Sequence, residues 1–167
     1  MNLANKQWSV AMSLPKPVES LSSAYCPTTD RVFLMGGDKD SGKAMKTVLT
    51  CSVEKLLHSC ARFNRIHDSS EVWEMLSELS VSHPTCVVVQ DHLLALGGIE
   101  QAGQRTDSRA VYDYDFSSKS WKPVVMLPSP THKLLAAVLP SNRLMVVGGF
   151  TKVNISDKIH FADIIFE

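Results

Sequence analysis

Three apolar runs in this chain stop on a glycine pair: RVFLMGGD (31–38), HLLALGGI (92–99) and RLMVVGGF (143–150). The pairs Gly36–Gly37, Gly97–Gly98 and Gly148–Gly149 are spaced by 61 and 51 residues. The three tryptophans, Trp8, Trp73 and Trp121, are spaced by 65 and 48. From each tryptophan to the next glycine pair the distance is 28, 24 and 27 residues. Two markers that advance together define an internal repeat, which limits the chain to an array of similar supersecondary units.

The phase extends beyond the markers. Each tryptophan opens a stretch ending in leucine: WSVAMSLP, WEMLSEL and WKPVVMLP. A β-prone run follows (SSAYC, PTCVVV, KLLAAVL), then a polar pair that reads as a tight turn: Thr29–Asp30, Gln90–Asp91 and Ser141–Asn142. The apolar runs have strand length, and their lack of alternation predicts burial on both faces. A glycine pair at a strand end permits close backbone approach. A further strand is clearest at SRAVYDYDF, and the last carries the tryptophan. Four short antiparallel strands per repeat describe one blade of a β-propeller, so the expected class is all-β with about three blades. The predicted limits are about 21–78, 82–127 and 132–167, with a strand at 7–12 completing a blade.

These observations also carry a family resemblance. The order of a double glycine, a Tyr–Asp and a tryptophan resembles the kelch repeat, and Gly97–Gly98, Tyr114–Asp115 and Trp121 match it in the middle unit. The other units depart from it, since Val53 and Ile165 stand where Tyr114 does. The resemblance implies a propeller that binds a partner protein through the loops of one face, as a scaffold or substrate-recruiting element. Its alternative implication is a kelch-type enzyme acting on a small molecule such as a sugar. No copper set of paired Tyr and His is recognisable, and no cofactor is expected.

Two irregularities stand out. From Gly37 to Trp73 is 36 residues, against 23 from Gly98 to Trp121. The excess falls in residues 51–71, where Val53, Leu56, Leu57, Cys60 and Phe63 recur at helical spacing and predict a short helix. The last unit, moreover, lacks an outer strand, while Trp8 belongs to an orphan one. Three arrangements satisfy this inventory: a fragment of a longer propeller, a half-ring that pairs with itself, or an open array with exposed edges.

Composition narrows the partners. Seventeen basic and seventeen acidic side chains balance to zero formal charge, which argues against a footprint for nucleic acid or an anionic membrane. No apolar stretch approaches bilayer length and MNLANKQWSV has no apolar signal core, so a cytoplasmic setting is expected. Cys26, Cys51, Cys60 and Cys86 then read as reduced thiols. Cys51, His58, Cys60 and His67 follow no usual zinc spacing, so no metal is expected. No nucleophile elbow, phosphate loop or metalloprotease motif occurs, and the reading is non-catalytic.

Loops on a rigid scaffold are where binding residues concentrate. The loops after the glycine pairs supply Asp40, Lys43, Lys46, Glu100, Gln104, Arg105 and Lys152 as partner-binding candidates. Arginine suits bidentate capture of a carboxylate. His83 and His132, assigned equivalent places before two first strands, complete the set; each also has the plain reading of satisfying backbone groups at a strand start. The tryptophans, in phase with the repeat, read as packing residues between blades.

Overall fold

The computed structural model describes residues 12–39, 41–61, 71–100 and 105–165. The strand carrying Trp8, together with Asp40, Phe63, His67 and Gln104, lies outside them. Three antiparallel sheets follow one another along the chain. The first joins β1 (Ser22–Cys26), β2 (Arg31–Met35), β3 (Val48–Ser52) and β4 (Glu74–Leu76) in sequential order. Next along the chain come β5 (Val81–Ser82), β6 (Thr85–Val89), β7 (His92–Leu96), β8 (Ile99–Glu100), β9 (Thr106–Asp107), β10 (Ala110–Asp115) and β11 (Ser120–Met126). Of these, β6, β7, β10 and β11 form the second sheet, while β5, β8 and β9 form a small one at its glycine end. The third contains β12 (Leu135–Leu139), β13 (Arg143–Val147) and β14 (Ile159–Asp163) among the described residues. These are propeller blades.

The polar pairs do turn the first hairpin of each blade. Asp30, Gln90, Asp91 and Asn142 take positive φ of 50°, 47°, 67° and 57°. Gln90 and Asp91 thus form a two-residue turn with both centres left-handed, the form whose twist matches paired strands. The hairpin registers coincide. Ser22 faces Met35, Thr85 faces Leu96, and Leu135 faces Val147, each of the latter standing immediately before a glycine pair. The paired strands of the three first hairpins can therefore be superposed residue by residue.

Burial follows that superposition. The forward face of the first blade (Cys26, Phe33, Met35, Val48) meets the backward face of the second (Cys86, Leu93, Ala95, Tyr114) in one apolar core. The forward face of the second (Val87, Val89, Leu94, Leu96, Val111) meets Leu144 and Val146 of the third in another. Only the second blade has a neighbour on both sides among the described residues, and β7 is accordingly buried from Leu93 to Leu96. Each such side chain contributes about 1.5–3 kcal/mol by leaving water. Burial on both faces holds for β6 and β7; β2 and β13 keep one face half-open.

Polar contacts fix the blades against each other. Thr85 Oγ1 donates to Leu134 O at 2.6 Å, and the Cys86 amide to Ser22 Oγ at 2.9 Å. Trp121 lies on β11, its ring centroid 5.0 Å from that of Tyr114, and its Nε1 donates to Ser77 O of the first blade at 3.0 Å. It is an inter-blade packing residue, as its phase suggested. Trp73 falls just ahead of β4 rather than on it. The kelch Tyr–Asp has a mechanical role: Tyr114 is buried, and Asp115 Oδ1 accepts from the amides of Ser117 and Ser118 at 2.8 and 3.1 Å, closing the turn into β11. The Lys122 ammonium, and after it those amides, hold its carboxyl well below the usual carboxylate range.

The excess segment does form a helix, α1 (Val53–Ala61). Ser52 Oγ accepts from the Lys55 amide at 3.3 Å, an N-cap that starts it where β3 ends. Its expected apolar stripe is only partly used, because Leu57 is 63% exposed.

Candidate functional site

The glycine pairs bring each blade's loops to one face. Gly97 has φ of +62° and Gly98 +106°, a backbone path that side chains disfavour. A Cβ on Gly97 would collide with Thr131 O of the third blade's leading loop, and one on Gly98 would stand 2.7 Å from Ser82 O of its own blade. The pair is thus where strand end, own leading loop and next leading loop converge.

At this convergence lies a polar cavity of about 610 Å³, lined by Glu19, Asp38, Lys43, His83, Arg105 and Lys133 among others. Three blades contribute to it. Asp38 follows the first glycine pair, His83 leads into β6, Arg105 precedes β9, and Lys133 leads into β12. Three basic side chains therefore converge with two acidic ones. One of the acids is tied, since His83 Nε2 bonds Asp38 Oδ2 at 2.8 Å with the ring buried. A second histidine makes a like clasp nearby: His132 Nδ1 bonds Asp107 Oδ1 at 2.9 Å. Burial pushes the His132 imidazole below its ordinary pKa, outweighing the adjacent Asp107 carboxylate.

These clasps correct one expectation. His83 and His132 do not occupy equivalent places. The register aligns Thr85 with Leu135, so His83 matches Lys133 and His132 matches Ser82. Leading loops of unequal sequence shift the imidazoles by one position. Each still reaches back to a carboxylate of the preceding blade, a pairing that composition near a strand start did not disclose.

The other candidates are dispersed. Lys43 and Arg105 line the cavity, both exposed. Lys46 accepts the Leu79 amide through its carbonyl at 3.1 Å and does not line it. Glu100 accepts from Ser108 Oγ at 2.9 Å on the second blade, and Lys152 stands exposed on the third blade's loop, both outside the cavity lining. Lys133 was missed. A lysine after a histidine carries no sequence signal, although its left-handed backbone (φ 52°) aims it differently from a strand residue. Among the described residues no group of three or more His, Cys, Asp or Glu is placed to hold a metal ion.

Stacked antiparallel sheets, two of four strands and one of three among the described residues, with glycine-pair corners and loops gathered on one face, define a β-propeller arc. The middle blade's Gly97–Gly98, Tyr114–Asp115 and Trp121 stand in the order of the kelch repeat. The chain is similar to Kelch-like protein 34 of Homo sapiens, at 29% identity over 148 residues, spanning 87% of this chain and 22% of that protein. It is also similar in fold to the solved structure of YjhT, with a TM-score of 0.69 at 15% identity, covering 96% of this chain and 50% of that one. No family model matches. The chain thus spans about a fifth of its curated relative and half of the solved neighbour. No helix among the described residues is long and apolar enough to cross a membrane.

Proposed function

We propose that this kelch-type arc is a non-catalytic protein-binding module of the cytoplasm, and that its loop face captures an acidic segment of a partner protein as a scaffold or recruiting element. The observation that carries this reading is the convergence of Lys43, Arg105 and Lys133, from three blades, on one polar cavity. Guanidinium and ammonium groups gathered at a concave surface suit carboxylates. The His83–Asp38 and His132–Asp107 clasps keep the loops in place, so ordering the site costs little on binding. The same clasps engage the two imidazoles as positioning groups. An enzyme of the small-molecule kind would need one of them to meet a substrate instead.

The test is a fluorescent peptide rich in Asp and Glu, titrated against the purified chain alongside a set of monosaccharides. Saturable, salt-sensitive peptide binding is expected, weakened about 10- to 100-fold by Arg105→Glu or Lys133→Glu, the scale of one charge-assisted contact. Lys152→Glu, away from the cavity, leaves it within about two-fold, since an exposed distant charge is screened. Binding of a sugar with no peptide binding would overturn the reading in favour of the small-molecule alternative.

A further inference from the structure

The register that aligns Ser22, Thr85 and Leu135 also aligns the residues two places earlier: Ser20, His83 and Lys133. All three are left-handed, with φ of 55°, 51° and 52°. Each follows a residue that pairs with the chain just past a glycine pair: Glu19 with Asp38, Ser82 with Ile99 and His132 with Phe150. The left-handed residue is therefore the corner at which the chain leaves the loop face and enters the blade's first strand. Such a backbone disfavours any residue but glycine, and Asp and Asn bear it more readily than most. The turns at the far end of the same strands use Asp30, Asp91 and Asn142, whereas the corners use Ser, His and Lys.

The corners gather round a second cavity, of about 440 Å³, where the edge strands β1, β6 and β12 begin beside one another. Ser20, His83 and Lys133 all line it, and His83 and Lys133 also line the loop-face cavity, so the two spaces adjoin. The second lining is drawn from residues 20–23, 83–86 and 133–136, four from each of three consecutive blades, and needs neither end of the chain. The two spaces differ in charge. The loop-face cavity sets Glu19 and Asp38 against its cations. No Asp or Glu lines the second, and Lys133 is its one Lys or Arg. Among the described residues, Lys133 makes no ion pair and the Ser20 hydroxyl no hydrogen bond. The neighbouring hydroxyls are engaged between blades, Ser22 Oγ by the Cys86 amide and Thr85 Oγ1 by Leu134 O. His83 is engaged too, its buried ring bonding Asp38 Oδ2.

We infer that this second cavity is a carboxylate subsite of the loop-face site, addressed by the left-handed corners: Lys133 pairs with one carboxylate of the bound segment, Ser20 donates to it from the first blade, and the clasped His83 forms the wall between. For its ligand this rests on the proposed capture of an acidic segment. Charge chooses the ligand class. An acidic side chain meets unopposed positive charge here, whereas Glu19 and Asp38 oppose it in the adjoining space, and an ammonium with a hydroxyl donor suits a carboxylate. Pro84 and Leu134 give the stem of that side chain apolar walls. Backbone strain agrees. Glycine would relieve each corner and lacks only the side chain, and strain held at equivalent places round a cavity marks side chains kept for contact.

The experiment pairs thermal melts with titration of the fluorescent Asp- and Glu-rich peptide, for the chain, Lys133→Gly, Ser20→Gly and Lys119→Gly. Lys119 is the control: its φ is also 52°, in the turn between β10 and β11, and it lines neither cavity. Each replacement relieves a left-handed backbone, so none should lower the melting temperature and each should raise it by up to about 4 °C. Only the corner variants lose affinity, about 10-fold or more for Lys133→Gly and about 3-fold for Ser20→Gly, the scales of a charged and a neutral hydrogen bond. Glutarate, followed through the backbone amide resonances of Ser20 and Lys133, separates the subsite from the partner. Shifts of both amides without peptide binding would uphold the subsite and overturn the capture of an acidic segment. Peptide binding that Arg105→Glu weakens, but that both corner variants leave within about two-fold, overturns the subsite alone. A lower melting temperature for Lys133→Gly, or no shift of either amide with glutarate or peptide, overturns it as well.

Discussion

Replacing Gly97 by alanine tests why the chain ends its strands on glycine pairs. Two costs combine there. Alanine at φ +62° pays about 1–2 kcal/mol for the left-handed backbone. Its Cβ also collides with Thr131 O, a backbone atom that accepts the Gly98 amide at 2.9 Å. Moving that oxygen aside weakens a hydrogen bond worth about 1 kcal/mol and separates the second and third blades. The total is about 3 kcal/mol. Gly42 is the control: its φ is +69°, but nothing lies within 4 Å of an added Cβ. Gly42→Ala therefore costs about 1 kcal/mol or less, since a stiffer unfolded chain offsets part of the strain. For a domain of this size 1 kcal/mol moves the melting temperature by about 2–4 °C. Thermal melts followed by circular dichroism are expected to show a loss of about 6–12 °C for Gly97→Ala and no more than about 4 °C for Gly42→Ala. Equal losses would refute the argument that close approach of the next blade, rather than backbone freedom alone, fixes the glycine.

Two further outcomes follow from titrating groups. The His132 pKa is lower folded than unfolded, so between that value and its ordinary 6.5 the unfolded chain holds a proton the folded chain lacks. Stability therefore falls as pH drops through this window, and His132→Gln should flatten the fall in urea melts repeated across it. Burial pushes the Cys86 thiol up to about 11 and also raises that of Cys51. Iodoacetamide at mildly alkaline pH should leave both unlabelled in the native chain and label both in denaturant, as site-resolved mass spectrometry reports.

Much of the architecture was legible because it is written in short range. The glycine pairs, the turn residues Asp30, Asp91 and Asn142, and the apolar runs between them act within one hairpin, so phase alone located the sheets. Trp121 was legible as an inter-blade residue for the same reason. The site was less so. Asp38 and His83 are 45 residues apart, and nothing local to either announces the other. Lys43 lines the cavity and Lys46 does not, although they share a loop, because loop direction is set by contacts such as the Lys39 amide on Lys43 O, 3.1 Å, that no periodicity encodes. The one-position offset between His83 and His132 is likewise a property of register, visible only once Thr85 and Leu135 are aligned.

The stacking of forward on backward faces has a consequence for how such chains arise. Each blade bears both halves of the same joint: a surface that receives and a surface that is received. No blade therefore specifies how many others accompany it. Duplicating or deleting one coding unit lengthens or shortens the series without redesigning its neighbours.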